Sequence, residues 1–288
     1  MIKLTSIMRI LLIFLILFFF QNCSFDNKSG IWKSESNVVN KKDDEFYQFE
    51  DLITTKSSFS REINIKDDFS FKLPDLIESK EWTDIFYNRY NNSGNFKYTA
   101  LYNKYFRSNK ITKYKVDNYI LYENDNIISS DQNGNINIYS LNNEKKISSF
   151  NFYKKKFKKN IKKLNLIVEN RIIYVSDNLG YLYSFDYTNN KILWAKNFKI
   201  PFRSNLKIFK NKLILSNQNN DLYYINKNNG NILKLIPTEE TIIKNKFINN
   251  ISLDKNNTFY LNTFGSLYSI DNKKMRINWF INLNETAK

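Results

Sequence analysis

The sequence predicts an all-β fold, a β-propeller of four-stranded blades, and two observations lead to this prediction. First, a seven-residue pattern recurs along the 288-residue chain and is clearest at residues 180–186 and 265–271. Its copies begin at positions 134, 180, 220 and 265, so they lie 46, 40 and 45 residues apart. Second, polar turns separate runs rich in β-branched and aromatic residues, which is typical of strands joined by hairpins. A period of this length with strand-like units favours a propeller.

Each repeat is predicted to form four strands. An apolar run such as Ile172–Val175 precedes the pattern, the pattern alternates at period two, and an outer strand such as Lys191–Ala195 follows a polar turn. One further run ahead of each set completes a blade. About four blades are recognisable, over residues 111–152, 164–199, 206–236 and 249–283. We expect them to be part of a larger ring in a C-terminally truncated chain; alternatively, residues 69–82 donate a strand that closes the ring.

Three regions are predicted along the chain. Residues 1–22 form a signal peptide, because Lys3 and Arg9 precede an apolar stretch, Ile10–Phe20, that is too short to span a membrane. Residues 23–80 form a polar, lipid-anchored tether whose first residue, Cys23, is the predicted lipidation site. Residues 81–288 form the propeller domain, which is expected to be incomplete. Two alternatives for the leader are an uncleaved N-terminal anchor and ordinary secretion with a chance cysteine.

The composition argues against several classes of site. The chain has no histidine, which removes the usual general base and the most common metal ligand. Its single cysteine, Cys23, rules out an internal disulfide and a thiolate metal cluster. The sequence also has no glycine-rich phosphate loop. We therefore expect no catalytic residue, no metal site and no cofactor.

The formal net charge is +16, and its one dense block is Lys154–Lys163. Such a charge can steer a protein toward nucleic acid or acidic phospholipid. The alternative is that the lysines solvate exposed loops. The block lies between two predicted blades with no recognisable nucleic-acid module around it, so nucleic acid is not an expected partner. Binding of an anionic ligand in the envelope stays open.

The repeat resembles the quinoprotein-like (PQQ) propeller repeat. In that family a glycine, an apolar-Tyr-Ala-apolar-Asp strand and a turn precede a strand that ends in tryptophan. Residues 180–194 match this pattern with Ser184 in place of the usual alanine, and Lys234 replaces the tryptophan of the third blade. The resemblance implies structural roles, with glycine in a tight turn, aspartate bonded to turn backbone and tryptophan docked between blades. The residues concerned are Gly134, Gly180, Asp186, Trp194, Gly265, Asp271 and Trp279.

Two functional branches of this family are relevant. One consists of quinone-dependent dehydrogenases with calcium and a vicinal cysteine pair, which this chain lacks; a quinoprotein oxidoreductase is therefore the alternative. The other is the exported lipoprotein propeller of the outer-membrane barrel-assembly machinery. The chain resembles that branch in its leader, Cys23, polar tether and degenerate repeats. The resemblance implies a non-enzymatic scaffold, lipid-anchored through Cys23 at the periplasmic face of the outer membrane. Its implied partners are the barrel-assembly protein and unfolded outer-membrane proteins.

Loops between blades are the expected contact sites of such a scaffold. Between the second and third blades, Pro201 fixes the loop, Phe202 is an aromatic anchor and Arg203 is a charged contact. The alternative is that Phe202 packs beneath its own loop and Arg203 is merely solvated. Between the third and fourth blades, Glu239 and Glu240 are expected in the first turn of a short helix rather than as an acid/base pair.

Overall fold

The computed structural model describes residues 24–25, 32–33, 70, 73, 75–78, 81–97, 107–153, 157, 159–240 and 247–284. The chain divides into two compact units, Met1–Phe49 and Glu50–Lys288. In the first unit the described residues are a short antiparallel pair, β1 (Ser24–Phe25) and β2 (Trp32–Lys33). The predicted signal peptide, Cys23 and most of the predicted tether lie outside the described residues.

The second unit contains four antiparallel four-stranded sheets, which confirm the predicted all-β fold of propeller blades. Each sheet is a meander in which consecutive strands pair. Blade 1 comprises β3 (Val116–Glu123), β4 (Asn126–Asp131), β5 (Asn135–Ser140) and β6 (Lys145–Asn151). Blade 2 comprises β7 (Leu164–Glu169), β8 (Ile172–Asp177), β9 (Tyr181–Asp186) and β10 (Lys191–Asn197). Blade 3 comprises β11 (Lys207–Phe209), β12 (Lys212–Ser216), β13 (Leu222–Asn226) and β14 (Ile232–Ile236). Blade 4 comprises β15 (Asn250–Leu253), β16 (Asn257–Leu261), β17 (Ser266–Asp271) and β18 (Ile277–Asn282).

Among the described residues the hydrophobic core consists of three clusters, one between each pair of successive blades. Between blades 2 and 3, Leu182 of β9 and Leu213 and Leu215 of β12 are fully buried in one cluster. This arrangement follows from the alternation of side chains along each strand, which gives every inner strand an apolar residue on both faces of its sheet. The first strand of each blade lies innermost, where β3 neighbours β7 and β11 neighbours β15. The fourth strand lies outermost.

A β-bulge recurs at the same place in all four blades, in the pairing of the third strand with the fourth. The register shifts between Ile192 and Trp194 in blade 2 and between Ser269 and Ile270 in blade 4. Blades 1 and 3 carry the corresponding shift. A bulge bends and twists its strand locally. Its recurrence shows that the four sheets are copies of one structural unit.

A segment ahead of the blades, residues 81–91, crosses their inner strands; we call it the crossing segment. The backbones of Trp82 and Tyr122 exchange two hydrogen bonds of 2.8 Å, which ties the segment to blade 1. The amide of Val168 in blade 2 donates to the carbonyl of Thr83 at 2.9 Å. Within the described ranges the segment adds isolated bridges and no complete strand to a blade. The alternative in which residues 69–82 supply a closing strand therefore finds no counterpart among the described residues.

Candidate functional site

The corner between the second and third strands of every blade is built on one buried carboxamide or carboxylate. In blade 2, Oδ1 of Asp177 accepts hydrogen bonds from the amides of Leu179 at 2.9 Å and Tyr181 at 2.8 Å. The same two bonds, to the amides two and four residues later, recur in the other blades. The corresponding residues are Asp131, Asn217 and Asn262. Because all four are buried, each corner is a rigid feature of its blade.

The residue three positions after each of these acids or amides has a positive φ. The φ angles of Gly134, Gly180 and Gly265 are 83°, 85° and 96°. A Cβ at Gly180 would lie 2.9 Å from the backbone nitrogen and oxygen of Ile200, so the following loop can approach only because no side chain intervenes. In blade 3 the position is Asn220, with φ 70°, and asparagine tolerates this conformation better than most residues.

Asn220 also joins blade 3 to blade 4. Its Nδ2 donates to the carbonyl of Glu239 at 2.8 Å, and its Oδ1 accepts from the hydroxyl of Thr263 at 2.8 Å. Its own carbonyl accepts from the hydroxyls of Thr238 and Tyr260. Asparagine at the glycine position of the third repeat therefore adds two side-chain hydrogen bonds, to Glu239 and Thr263, that a glycine cannot make.

Asp177 has a second role, because it holds the preceding loop. The hydroxyl of Tyr153, which follows blade 1, donates to Oδ2 of Asp177 at 2.6 Å. Burial raises the pKa of Asp177, while the bonds from Tyr153, Tyr181 and Leu179 act in the opposite direction. Burial also raises the pKa of Tyr153 far above its usual value, so the phenol stays protonated and remains a donor. Sequence reasoning missed this contact.

Asp186 and Asp271 are the last residues of the third strands, β9 and β17, directly before the turns to the fourth strands. Oδ1 of Asp186 accepts from the amides of Thr188 and Asn189 at 2.9 and 3.0 Å. Oδ1 of Asp271 accepts from the amides of Lys273 and Lys274 at 2.8 and 2.6 Å. These bonds hold the pKa of both carboxyl groups below the usual range, with the amide of Asn189 and that of Lys274 as the largest causes. Both aspartates therefore stabilise turns.

Trp194 lies between blades 2 and 3. Its Nε1 donates to the carbonyl of Lys227 at 2.9 Å, in the turn between the third and fourth strands of blade 3. Its ring covers Gly230 of that turn, where a Cβ would lie 2.7 Å from Cε3 of the indole. Trp279 is the corresponding residue of blade 4, and its half-buried ring faces Phe259 of its own blade at a centroid distance of 6.3 Å.

We expect Trp194→Phe to lower the free energy of unfolding by about 1–2 kcal/mol, because it removes a hydrogen bond and part of a packed ring between two blades. Trp279→Phe is the matched control, since its ring has no neighbouring blade among the described residues, and its cost should stay below about 0.5 kcal/mol. Urea unfolding followed by circular dichroism measures both. Equal losses for the two variants would contradict this role of Trp194.

The predicted contact loop is closely attached to the blades. Phe202 is only 2% exposed and packs against Phe198 and Tyr223, with ring centroids 5.3 and 6.1 Å away. Pro201 and Arg203 are half-buried. The buried ring matches the alternative in which Phe202 packs beneath its own loop, so it presents no surface to a partner in this conformation. Partner binding by Pro201 and Arg203 stays a prediction.

The loop after blade 3 has no helix over residues 237–240, so the expected helical turn at Glu239 is wrong. Instead, the carboxylate of Glu239 accepts hydrogen bonds from Nδ2 of Asn262 at 3.0 Å and from Oγ of Ser266 at 3.1 Å. The hydroxyl of Tyr268 donates to it as well. These hydrogen bonds place the carboxylate at the corner of blade 4. Their partners are 23 to 29 residues away in sequence, so a local pattern typical of a helix start does not predict them.

A buried ion pair fixes the crossing segment to blade 3. Nζ of Lys207 lies 2.6 Å from Oδ2 of Asp84, and both side chains are almost fully buried. The lysine also donates to the carbonyl of Asn88 at 3.0 Å, and Asp84 accepts from the amide of Phe86 at 2.9 Å. Burial raises the pKa of Asp84 and lowers that of Lys207, while the charge of each group counteracts the effect of burial on the other.

The crossing segment also contacts blade 4 near its C-terminal end, where the amide of Leu253 donates to the carbonyl of Arg89.

The basic block is only partly described, because Lys154, Lys155, Lys156 and Lys158 lie outside the described residues. Lys162 does not fit a fully solvated block: it is 1% exposed, and its ammonium group lies 5.3 Å from the centre of the Tyr153 ring. Lys159 and Lys163 are exposed. The block therefore combines at least one structural lysine with exposed ones, and binding of an anionic ligand there stays a prediction.

The residues that the structure describes include no group of three or more acidic, cysteine or histidine side chains placed to hold a metal ion. In the same part of the chain, no helix has the length and apolar character needed to cross a bilayer.

Exposed apolar side chains lie on the outermost strands of blades 2 and 3, which we call the outer rim. Leu233 and Leu235 are each 41% exposed and Ile232 is 52% exposed, all on β14. Ile192 and Leu193 of β10 are 37% and 46% exposed. Both strands are the last of their sheets, so their outer edges have no strand partner within the described residues. The rim thus combines apolar side chains with unpaired backbone groups.

The four sheets define a propeller-type repeat fold. No protein-family model matches the sequence, and no curated protein matches it. Among the solved structures, 1137 chains match. One is the crystal structure of BamB from Moraxella catarrhalis, with a TM-score of 0.48 and 13% sequence identity. The match covers 56% of this chain and 47% of the other, so this chain spans about half of that structure. At this identity the similarity concerns the fold alone.

Proposed function

We propose that the chain is a non-enzymatic scaffold of the bacterial envelope that assists folding and insertion of outer-membrane β-barrel proteins, as a BamB-like component of the barrel-assembly machinery. Its partners are the barrel-assembly protein and unfolded outer-membrane proteins. The lipidated Cys23 holds it at the periplasmic face of the outer membrane, and Pro201 and Arg203 contact a partner. The role requires binding surfaces and no cofactor.

The outer rim is the observation that supports this proposal. A single exposed leucine on a surface is ordinary, but β14 exposes three apolar side chains within four residues. The strand edge also offers backbone N–H and C=O groups that an extended polypeptide can pair with, as in β-strand addition. Unfolded β-barrel proteins consist of such extended, alternately apolar segments. A rigid blade edge of this kind suits them as a binding surface.

The proposal is tested by co-purification from the cell envelope. A tagged chain is extracted in mild detergent, and the proteins that accompany it are identified by mass spectrometry. The double variant Leu233→Thr/Leu235→Thr removes apolar surface from the rim. The matched control, Lys191→Thr/Asn231→Thr, changes exposed polar residues of the two rim strands: Lys191 is the first residue of β10, and Asn231 directly precedes β14. We expect the barrel-assembly protein and outer-membrane proteins with the wild type and the control, and their loss with the rim variant.

Two results would contradict parts of the proposal. If the wild type recovers neither partner, the assembly function fails. If the rim variant recovers both partners as well as the control does, the function stands and the rim is not the binding surface.

The lipid anchor is tested separately. Cys23→Ser is expected to move the protein from the membrane fraction to the soluble fraction. Retention in the membrane fraction would show that another feature holds the chain there.

A further inference from the structure

A cleft of about 520 Å³ opens between blades 1 and 2. Blade 1 bounds it with Asn124 and Asn126, at the turn between its first two strands, and with Ser148 on the outermost strand, β6. Blade 2 bounds it with two turns, which carry Arg171 and Asn190. None of the apolar side chains of the outer rim lines this cleft, so its ligand is a separate question from the partner of the rim.

The repeat explains why this place is open. In blade 2, Trp194 pairs with Ser184. The equivalent pair in blade 1 is Ser148 with Ile138. Trp194 fills the space toward blade 3 with its indole ring, which covers Gly230. Between blades 1 and 2 a serine side chain stands in the position of that indole, so the repeat leaves room there for a group about the size of one ring.

The walls of the cleft are polar where the interface between blades 2 and 3 is apolar. Asn126 is the first residue of β4, whereas the equivalent strand β8 begins with Ile172, which packs against the same apolar cluster as the tryptophan of its blade. Asn190, with a φ of 53°, takes the position that Gly230 has in blade 3. Its Oδ1 accepts a hydrogen bond of 3.0 Å from the hydroxyl of Ser148. An apolar occupant would leave such groups without hydrogen bonds, so a polar one is expected.

Arg171 supplies the positive charge of the cleft, and a buried carboxylate holds it in place. Its φ of 66°, in the turn between β7 and β8, is a conformation that favours Gly, Asn and Asp. Oε2 of Glu123 accepts from the amide of Arg171 at 3.0 Å and from the hydroxyl of Tyr187 at 2.9 Å. Because Glu123 and Tyr187 are both buried, the turn that presents Arg171 is fixed in position.

The guanidinium group of Arg171 is available to a ligand. Within the described ranges it makes no hydrogen bond or ion pair, although its charge acts on Asp186. The carboxylate of Asp186 is already bonded to the amides of Thr188 and Asn189 and to the side chain of Asn189 in its own turn. A guanidinium group holds a carboxylate through two parallel hydrogen bonds, so one carboxylate on the ligand matches Arg171.

The remaining groups define the rest of the ligand. Eight of the nine side chains around the cleft carry a carboxamide, hydroxyl or guanidinium group. Carboxamides and hydroxyls both donate and accept, and the hydroxyl groups of a sugar do the same. Inorganic phosphate matches less well, because its oxygens mainly accept and Arg171 is the one cation of the lining. The ninth side chain, Ile147, is 44% exposed and offers an apolar surface to the C–H face of a sugar ring.

We propose that the cleft between blades 1 and 2 binds a small sugar acid, a pyranose ring that carries one carboxylate group. Arg171 holds the carboxylate, the side chains of Asn124, Asn126 and Thr188 bond to ring hydroxyls, and the ring packs on Ile147. The sugar ring takes the place that the tryptophan ring takes at the next interface. This binding activity goes beyond the scaffold role, and neither depends on the other.

The binding experiment titrates the full chain with glucuronate, glucose and inorganic phosphate, followed by ligand-observed NMR. Glucuronate is expected to bind saturably, and glucose, which lacks the carboxylate, about fivefold or more weakly. Arg171→Asn removes the guanidinium group while asparagine still accepts the positive φ, and it should weaken glucuronate binding about tenfold or more. The matched control is Lys210→Asn, because Lys210 is exposed, has a φ of 56° and lies in the corresponding turn of blade 3. It should change affinity less than about twofold.

A second variant closes the cleft. Ser148→Trp/Asn190→Gly reproduces the pair formed by Trp194 and Gly230, and the glycine is needed because a Cβ at Gly230 would lie 2.7 Å from the indole. This variant is expected to lose glucuronate binding while circular dichroism shows that it remains folded.

Four outcomes would overturn the proposal. They are the absence of saturable glucuronate binding, equal affinities for glucuronate and glucose, and affinity that Arg171→Asn leaves unchanged. The fourth is glucuronate binding by the folded Ser148→Trp/Asn190→Gly variant, which would place the site elsewhere. Displacement of glucuronate by an equal concentration of phosphate would likewise contradict it, because the cleft would then select for charge alone.

Discussion

Lys207→Met is expected to lower the free energy of unfolding by about 3–5 kcal/mol, because it leaves the carboxylate of Asp84 buried without its cation. The methionine fills a similar volume, so lost packing contributes little. Urea unfolding at neutral pH measures the effect. Lys210→Met, at an exposed position nearby, is the control and should be almost neutral. The double variant Asp84→Asn/Lys207→Met removes both charges and is expected to regain part of the loss. A double variant no more stable than the single one would show that the charge is not the cause.

The pH dependence of Lys207→Met gives an independent readout. Burial raises the pKa of Asp84, and the charge and hydrogen bond of Lys207 normally oppose this rise. Without the lysine, the folded chain binds a proton at a higher pH than the unfolded chain does. Stability therefore falls as the pH rises through this interval, and acidification through the folded-state pKa of Asp84 restores it. The deficit relative to wild type should be largest at neutral pH and should shrink in acid. A deficit of constant size would contradict the assignment.

Asp177→Ala is expected to cost about 3 kcal/mol, because the amides of Leu179 and Tyr181 and the hydroxyl of Tyr153 all lose their buried acceptor. Asp177→Asn is the matched control. Asparagine performs the same task at Asn217 and Asn262, so this variant should lose less than about 1 kcal/mol. Thermal unfolding of the two variants compares them directly. Similar losses would mean that the charge of Asp177, rather than its acceptor oxygen, stabilises the corner.

The strand-forming repeat was predictable because its signal is local. Side-chain alternation, polar turns and the spacing of Gly134, Gly180 and Gly265 identify the blades without any knowledge of long-range contacts. The buried acceptors of the four corners, three positions before each positive-φ residue, have the same spacing, but the sequence analysis did not identify them. They are Asp131, Asp177, Asn217 and Asn262. Two are aspartates and two are asparagines, so their shared property is an acceptor oxygen rather than an identity. Searching for that property at a fixed distance before the glycine would have found them.

The crossing segment and the loop contacts could not be predicted in the same way. Nothing in the sequence around Asp84 indicates that its partner is Lys207, because the two are 123 residues apart and both are ordinarily surface residues. The local signal at Pro201–Arg203 fits an exposed anchor and a buried one equally well, and only the packing of Phe202 against Tyr223 decides between them. Likewise, the carboxylate of Glu239 accepts hydrogen bonds from side chains of blade 4, and Glu239 is not part of a helix.

The crossing segment also determines how the blades unfold. In an array of repeats where each unit contacts only its neighbours, the end units can melt first and the transition becomes gradual. Here Asn91 donates to the carbonyl of Ile251, 160 residues away, while Trp82 is bonded to Tyr122 in the first blade. Blades 1 and 4 are thus joined through one short stretch of chain, and neither can open without disturbing it. We therefore expect the repeats to unfold as one cooperative unit and, because contacts of such high sequence separation slow folding, to fold slowly.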